Sequence, residues 1–284
     1  MTITALGQVG INLPLDYIQT IRLCCAFLES DYTIHFPESA QPIFEYWNTQ
    51  VPARYEVGLQ GIPLLENITI LHNQPLCKVG NLERPLIFPR AMLKLCRKKW
   101  SEQRPIQFLF CGLMTEKRKH CLETWVHSCF GRDDIAIATS DYEYSRLKRV
   151  WKQIKGLLGQ SKTAYVLEDL GLQIFSSQKG REFPIKIWDE DYFNQLAQSQ
   201  FVLCPDGDFT WTYRFFEAML CGAIPLIENE CDLYEGFQYY SMQDPIEKLI
   251  YSPEMAEHNY QRAWQFLTLE PAELNYIIQT TLDV

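Results

Sequence analysis

Apolar positions along the chain recur at two spacings, and the switching between them predicts a class of fold. From Pro14 to Leu28 they return every three or four residues, which predicts a helix. Tyr32 to Phe36 and Asn67 to Leu71 are short apolar runs that read as strands. Arg84 to Pro89 reads as a further strand closed by proline, followed by a helix carrying Arg97, Lys98 and Lys99. The polar stretch Ser101 to Pro105 predicts a linker. A second unit opens with a strand from Ile106 to Cys111, then Gly112, then a helix from about Thr115 to Phe130. A strand over Ile135 to Ala138, a basic helix from about Tyr144 to Leu158, and a short strand with a helix beyond Pro184 come next. The strand Phe201 to Cys204, the helix Tyr213 to Cys221 and the strand Ile224 to Ile227 follow. From Pro253 the tail is helical, with Pro271 opening its last segment at a position that helices tolerate.

This order predicts an α/β protein built on parallel sheets, and two open sheets facing each other across a cleft fit it. Ligands of such sheets sit at the carboxyl ends of the strands. The expected division is an amino-terminal α/β domain over residues 1–103 and a carboxy-terminal α/β domain with a helical tail over residues 104–284. The length leaves room for two modest cores.

Composition changes the picture in three places. A net charge of -9 argues against a general affinity for nucleic acid, which demands a surplus of Lys and Arg. No apolar run approaches the roughly 18 residues that cross a bilayer, and the amino terminus lacks a secretory pattern, so a cytoplasmic protein is expected. Ten cysteines show no CxxC pair and no zinc spacing, and most sit among apolar neighbours, as reduced buried thiols do. In a secreted chain, Asn67-Ile68-Thr69 would instead be a glycosylation acceptor.

Residues 201–227 carry the chemistry. A buried strand stops at Pro205, and Gly207 lets the backbone turn tightly or approach a ligand. Thr210 or Thr212 can cap the next helix, whose free amides and positive dipole end suit a diphosphate. Arg214 lies in the first turn, with Glu217 three residues on, nearly on the same face. A cation beside the phosphates and a carboxylate accepting from two ribose hydroxyls make a nucleotide grip, whereas an intrahelical ion pair is the plain alternative. Gly222 ends the helix, and Ala223 to Ile227 returns as a strand.

The same segment strongly resembles the carboxy-terminal signature of the exostosin-like glycosyltransferases. That pattern runs from an F-x-L-C-P strand through a glycine loop and a hydroxyl-x-Arg helix start to F-x-E-A, then C-G-x-I-P and a hydrophobic strand. Phe108 to Gly112 with Arg118, and Tyr192 ahead of Ser199 to Phe201, fall where the family has a strand-glycine-arginine element and a tyrosine helix. Asp206 departs from the pattern, which often has a basic or neutral residue there, and Thr212 replaces a serine. The resemblance covers about residues 84–230.

It implies two Rossmann-like halves of the GT-B type, with a small amino-terminal half on the acceptor side. It also implies an inverting transfer from a nucleotide-sugar, a UDP-sugar above others, to a hydroxyl of a glycan or glycoconjugate. Gly112, Arg118, Pro205, Gly207, Thr212, Tyr213, Arg214 and Glu217 become the donor-binding residues. Helix amides, Arg214 and Arg118 could meet the leaving-group charge, so no obligatory metal ion is expected, and no cofactor beyond the nucleotide-sugar co-substrate. The catalytic base is expected at the end of an amino-terminal strand, where Glu38 and His35 are the candidates and His72 a further one. Each has a plain alternative: a solvated helix-start carboxylate for Glu38, a satisfied core histidine for His35.

Other signals are weaker. Asp189-Glu190-Asp191 has the D-x-D form of metal-dependent transferases, but an acidic first helical turn explains it. Arg146, Lys148, Arg149, Lys152 and Lys155 could touch an anionic acceptor or a membrane surface peripherally, or form a solvated face. Trp211 is the best sugar-stacking candidate among the tryptophans. Two other readings stay open: a fucosyltransferase-like enzyme using a GDP-sugar, and a non-catalytic nucleotide- or glycan-binding module.

Overall fold

The computed structural model describes residues 6–132, 137, 163–177 and 187–282. The expected strand at 135–138, apart from Ile137, the basic helix at 144–158 and most of the short strand beyond Pro184 lie outside the described residues. The chain divides into two units. One contains residues 1–98, 183–189 and 261–284, the other 99–182 and 190–260.

In the first unit, β1 (Gln8–Gly10), β2 (Thr33–Phe36) and β3 (Tyr55–Val57) form a parallel sheet in that order. Helices α1 (Ile18–Phe27) and α2 (Gln41–Gln50) supply the crossovers that parallel strands require. An antiparallel meander of β4 (Ile68–Leu71), β5 (Leu76–Val79) and β6 (Leu82–Arg84) follows, then α3 (Arg90–Lys98).

The expected strand at 84–89 is not one. Pro85 and Pro89 have no N–H to give a ladder, and Leu86, Ile87 and Phe88 are each 1% exposed in an irregular segment, held by side-chain packing. Phe88 N–H donates instead to the Leu267 carbonyl, at 2.7 Å. That bond, the Arg90–Glu270 ion pair and the Asp31–Asn275 hydrogen bonds tie the end of the chain to the first unit. The tail therefore lies with the amino-terminal residues, where the sequence pattern placed it in the second domain.

The second unit is built on one six-stranded sheet with β7 (Ile106–Leu113), β8 (Thr163–Leu167), β9 (Leu172–Ser177), β10 (Ser199–Cys204), β11 (Ile224–Ile227) and β12 (Tyr240–Ser241). Their order is β12-β11-β10-β7-β9-β8, parallel throughout except for β8 against β9. Central strands buried on both faces explain the near-continuous apolar runs at 106–111 and 201–204. Phe108, Phe110, Phe201, Leu203, Ile224 and Leu226 share one core with Trp125 and Val126 of α4 (Glu116–Phe130). From β7 the chain goes to β9 on one side and returns to β10 on the other, so the strand order reverses between β7 and β10. In open α/β sheets ligands bind at such a reversal, at the carboxyl ends of the strands.

Two further helices pack beside these strands: α5 (Glu190–Ala197), and α6 (Tyr213–Leu220), which follows β10. Gly222 closes α6 at φ +75°, and the Ala223 N–H returns to the Ala218 carbonyl at 3.0 Å. Trp100 and Arg104 take carbonyls at this end: Trp100 Nε1 donates to Leu220, and Arg104 to Cys221 and Ser199. A helix pinned so firmly at its carboxyl end presents its amino-terminal turn at a fixed place. Two helices complete the described chain: α7 (Pro253–Leu267), within which the unit boundary falls, and α8 (Pro271–Leu282). All ten cysteines are free, and no described helix is long and apolar enough to cross a membrane.

Candidate functional site

The ends of β7 and β10 bring together Gly112, Arg118, Pro205, Gly207 and Arg214. Arg214 enters from the first turn of α6 and is 7% exposed. Its Nε donates to the Cys111 carbonyl at 2.8 Å, and its guanidinium carbon lies 4.2 Å from the centre of the Phe110 ring. The plane runs so close to β7 that a Cβ on Gly112 would stand 2.3 Å from Nη2, and Gly112 itself has φ +147°. Glycine is required there twice over, by conformation and by space.

Arg118 enters from the first turn of α4, whose start is fixed by Thr115 accepting from the Arg118 amide at 3.3 Å. Its Nη1 donates to the Leu113 carbonyl at 2.9 Å and its Nε to the Asp206 carbonyl at 3.2 Å. A Cβ on Gly207 would lie 2.5 Å from its Nη2. Burial, and after it the charge of Arg214, push the Arg118 pKa down to about 10. Both guanidiniums thus rest on backbone carbonyls of one strand end, Cys111 and Leu113. At neutral pH two mutually repelling cations are held with little water around them, and Arg214 Nη1 has no hydrogen-bond partner among the described residues. An anion is the natural complement.

Thr212 stands at the N-cap of α6 with extended backbone, as expected, but its hydroxyl makes no capping bond. Its N–H donates to the Tyr234 hydroxyl at 2.9 Å, while its buried Oγ1 has no partner. The Thr212 side chain therefore does not cap the first turn of α6. Tyr213 is half-buried and meets Trp211 edge-on at 4.9 Å. Trp211 is 7% exposed and stacks on Phe209, so it packs the loop where a sugar platform was expected.

Glu217 differs most from expectation. It is 1% exposed, and its Oε2 accepts from the Tyr192 hydroxyl at 2.7 Å. In this conformation the carboxylate holds α5 against α6 rather than offering itself to two ribose hydroxyls. The sequence gives no local sign of this pair, because the partners stand 25 residues apart on separate helices.

Asp206 is 3% exposed. Its Oδ2 accepts from Asn229 at 2.9 Å and lies 3.6 Å from Lys117 Nζ, while Oδ1 is unpartnered and Glu228 accepts from its backbone N–H. Burial chiefly raises its pKa, with Glu228 adding to it against Asn229 and Lys117. A carboxyl whose folded pKa lies above its unfolded value costs stability when ionised. That cost is fully present above the folded pKa and fades as the pH falls through it towards 3.8. Asp206→Asn is therefore expected to melt higher than the parent at pH 7, with the gain lost near about pH 4. A lower melting temperature at pH 7 would reject this account of Asp206.

The candidate bases lie in the first unit. His35, on β2, is 5% exposed, with Nδ1 3.1 Å from the Gly58 carbonyl and Nε2 3.9 Å from the Glu56 carboxylate. Glu38 opens a short 3-10 turn and is exposed. His72 stacks on Tyr17 at 5.1 Å. Of the acidic triplet, Glu190 pairs with Lys99 in the first turn of α5, and no metal-binding cluster occurs among the described residues. Burial pushes the Cys204 thiol up to about 12, so it stays protonated beside the site.

Residues 182–246, which include β10, the glycine loop, α6 and β11, match the family model of the RXYLT1 C-terminal domain. This is a domain of the exostosin-like xylosyltransferases, and the match supports a glycosyltransferase. Among solved structures, the chain is similar to Anabaena Alr3699/HepE in complex with UDP-glucose, at 12% identity and a TM-score of 0.35, over 89% of this chain and 72% of that one. It is also similar to the GtfA/B complex, at 14% identity and a TM-score of 0.31, over 88% of this chain and 46% of that one. No curated protein matches the chain.

Proposed function

We propose that the protein is an inverting glycosyltransferase of the GT-B type that transfers a sugar from a UDP-sugar to a hydroxyl of a glycan or glycoconjugate. The observation that carries this reading is the pair Arg118 and Arg214, a half-buried and a buried cation side by side at the β7 and β10 ends, with no carboxylate bonded to Arg214 among the described residues. Gly112 and Gly207 admit the guanidiniums there, and the start of α6, which the Thr212 side chain does not cap, lies beside them.

In the proposed reaction the acceptor oxygen bonds to the anomeric carbon while the bond from that carbon to the β-phosphate oxygen breaks. The leaving diphosphate gains negative charge as it departs, and fixed cations stabilise that charge more than the ground state. Arg118 and Arg214 stand in the role that a divalent ion has elsewhere, so the proposed reaction is metal-independent. Glu217 contributes indirectly, by positioning Tyr192 and α6. A base must accept the acceptor proton. Exposed Glu38 is the first candidate, and His35 the second.

Calorimetric titration with UDP and GDP tests the donor. UDP is expected to bind more tightly by at least about tenfold, and preference for GDP would replace this donor by that of a fucosyltransferase-like enzyme. Binding of UDP without hydrolysis or transfer from any common UDP-sugar would instead identify a non-catalytic module.

A further inference from the structure

The first unit holds a cavity of about 400 Å³ that the proposed donor chemistry does not use. It forms where one face of the β4–β5 hairpin meets the last turns of α8. Thr69 and Lys78 are paired across the hairpin, so their side chains share a face, and Asn67, two residues before Thr69, falls on the same side. The rim is fixed by two residues in the left-handed region. Asn67 has φ +57° and Gly80 φ +55°, and the Gly80 N–H donates to the Asn67 carbonyl at 3.1 Å. A Cβ at Gly80 would stand 2.8 Å from Thr281 Oγ1, so the turn approaches the helix as closely as glycine allows.

The lining has a definite chemistry. Thr280 and Thr281 donate their hydroxyl protons to the Tyr276 and Ile277 carbonyls, at 2.9 and 2.7 Å, and keep only lone pairs to offer. Lys78 supplies N–H donors, and the Asn67 and Asn81 amides supply both donors and acceptors. No carboxylate among the described residues lines the cavity, yet one lysine at the carbonyl end of a helix is a poor anion site, because the helix dipole opposes it. A mixed set of donors and acceptors matches vicinal hydroxyls, each of which is both. Tyr276 is outside the lining itself, but it lies one turn before Thr280 on the same helix face and is 68% exposed, an aromatic surface beside the cavity for the C–H side of a sugar ring.

We propose that this cavity is a subsite for a neutral saccharide, with the exposed Tyr276, one turn from the lining residue Thr280, as a stacking platform beside it. It stands apart from the donor reading, since none of its residues belongs to the arginine pair.

The test uses the full chain without glycosylation, titrated with neutral xylo-, galacto- and gluco-oligosaccharides and with sulfated heparin fragments, followed by saturation-transfer NMR. At least one neutral series should bind. Tyr276→Ala should weaken it by about tenfold, a typical loss for an aromatic contact, and Thr281→Lys, which fills the cavity, should abolish it. UDP affinity should be the same in both variants, so failure here and failure of the donor reading are separable. Tyr276 is exposed, so its variant keeps the test valid should Thr281→Lys fail to fold. The proposal is overturned if no neutral oligosaccharide binds, if binding ignores Tyr276→Ala, or if only sulfated fragments bind and Lys78→Ala abolishes that.

Discussion

Arg214→Ala is expected to weaken UDP binding by about a hundredfold, since a hydrogen bond to a charged group is worth roughly 1.5–3 kcal/mol and the desolvated setting favours the upper end. The side chain is 7% exposed, is turned onto Cys111 by a bond from Nε, and still has Nη1 unsatisfied. In the free protein that is a costly arrangement, because burial and the neighbouring Arg118 both oppose a second cation. A diphosphate converts the cost into attraction. Stability of the free protein should therefore fall much less than UDP affinity does. Arg214→Lys keeps the charge but loses the planar fork that rests on Phe110 and reaches Cys111, so it should recover only part of the affinity. Calorimetry on folded variants reads both numbers. A UDP affinity within about twofold of the parent in the alanine variant would remove the diphosphate cradle, whatever the family resemblance.

How much of this was legible depends on the range of the interaction. The stop at Pro205, the helix start at Thr212 and the helix end at Gly222 follow from backbone rules that act over a few residues, and the structure has all three. The run at 84–89 misleads because an apolar stretch buried by packing looks like one buried in a ladder, and only its two prolines argue otherwise. The docking of the tail on the first unit rests on pairs such as Asp31 with Asn275, 244 residues apart, which no local pattern encodes. At the site, the sequence marks Gly112 and Gly207 as places of close approach but cannot say what approaches. It is Arg214 at the first and Arg118 at the second, an exchange between β7–α4 and β10–α6 that requires the parallel pairing of the two strands. Glu217 was expected to serve the ligand because it follows Arg214 on the helix. Its actual partner, Tyr192, comes from a helix whose placement only the fold decides.

Gly112→Ala should cost about 2–4 kcal/mol of stability, from a left-handed backbone that an L side chain resists and from a steric conflict in a packed site. The conflict has one named source, since the new Cβ would stand 2.3 Å from Arg214 Nη2. Arginine tips usually yield cheaply, but this one is held by Cys111 and Phe110 and is only 7% exposed. Yielding would also move the guanidinium off the diphosphate, so UDP affinity should fall with stability. Gly207→Ala makes the matching comparison against Arg118, which is less buried than Arg214 and can shift more readily; it should lose affinity at a smaller cost in stability. A double-mutant cycle separates the two causes at Gly112. With Arg214→Ala already in place the conflict disappears, and Gly112→Ala should then cost only the backbone strain, about 1–2 kcal/mol. Urea unfolding of the four proteins measures this directly. An equal cost of Gly112→Ala in both backgrounds would mean that Arg214 does not press on Gly112, and that the guanidinium lies somewhere other than over the end of β7.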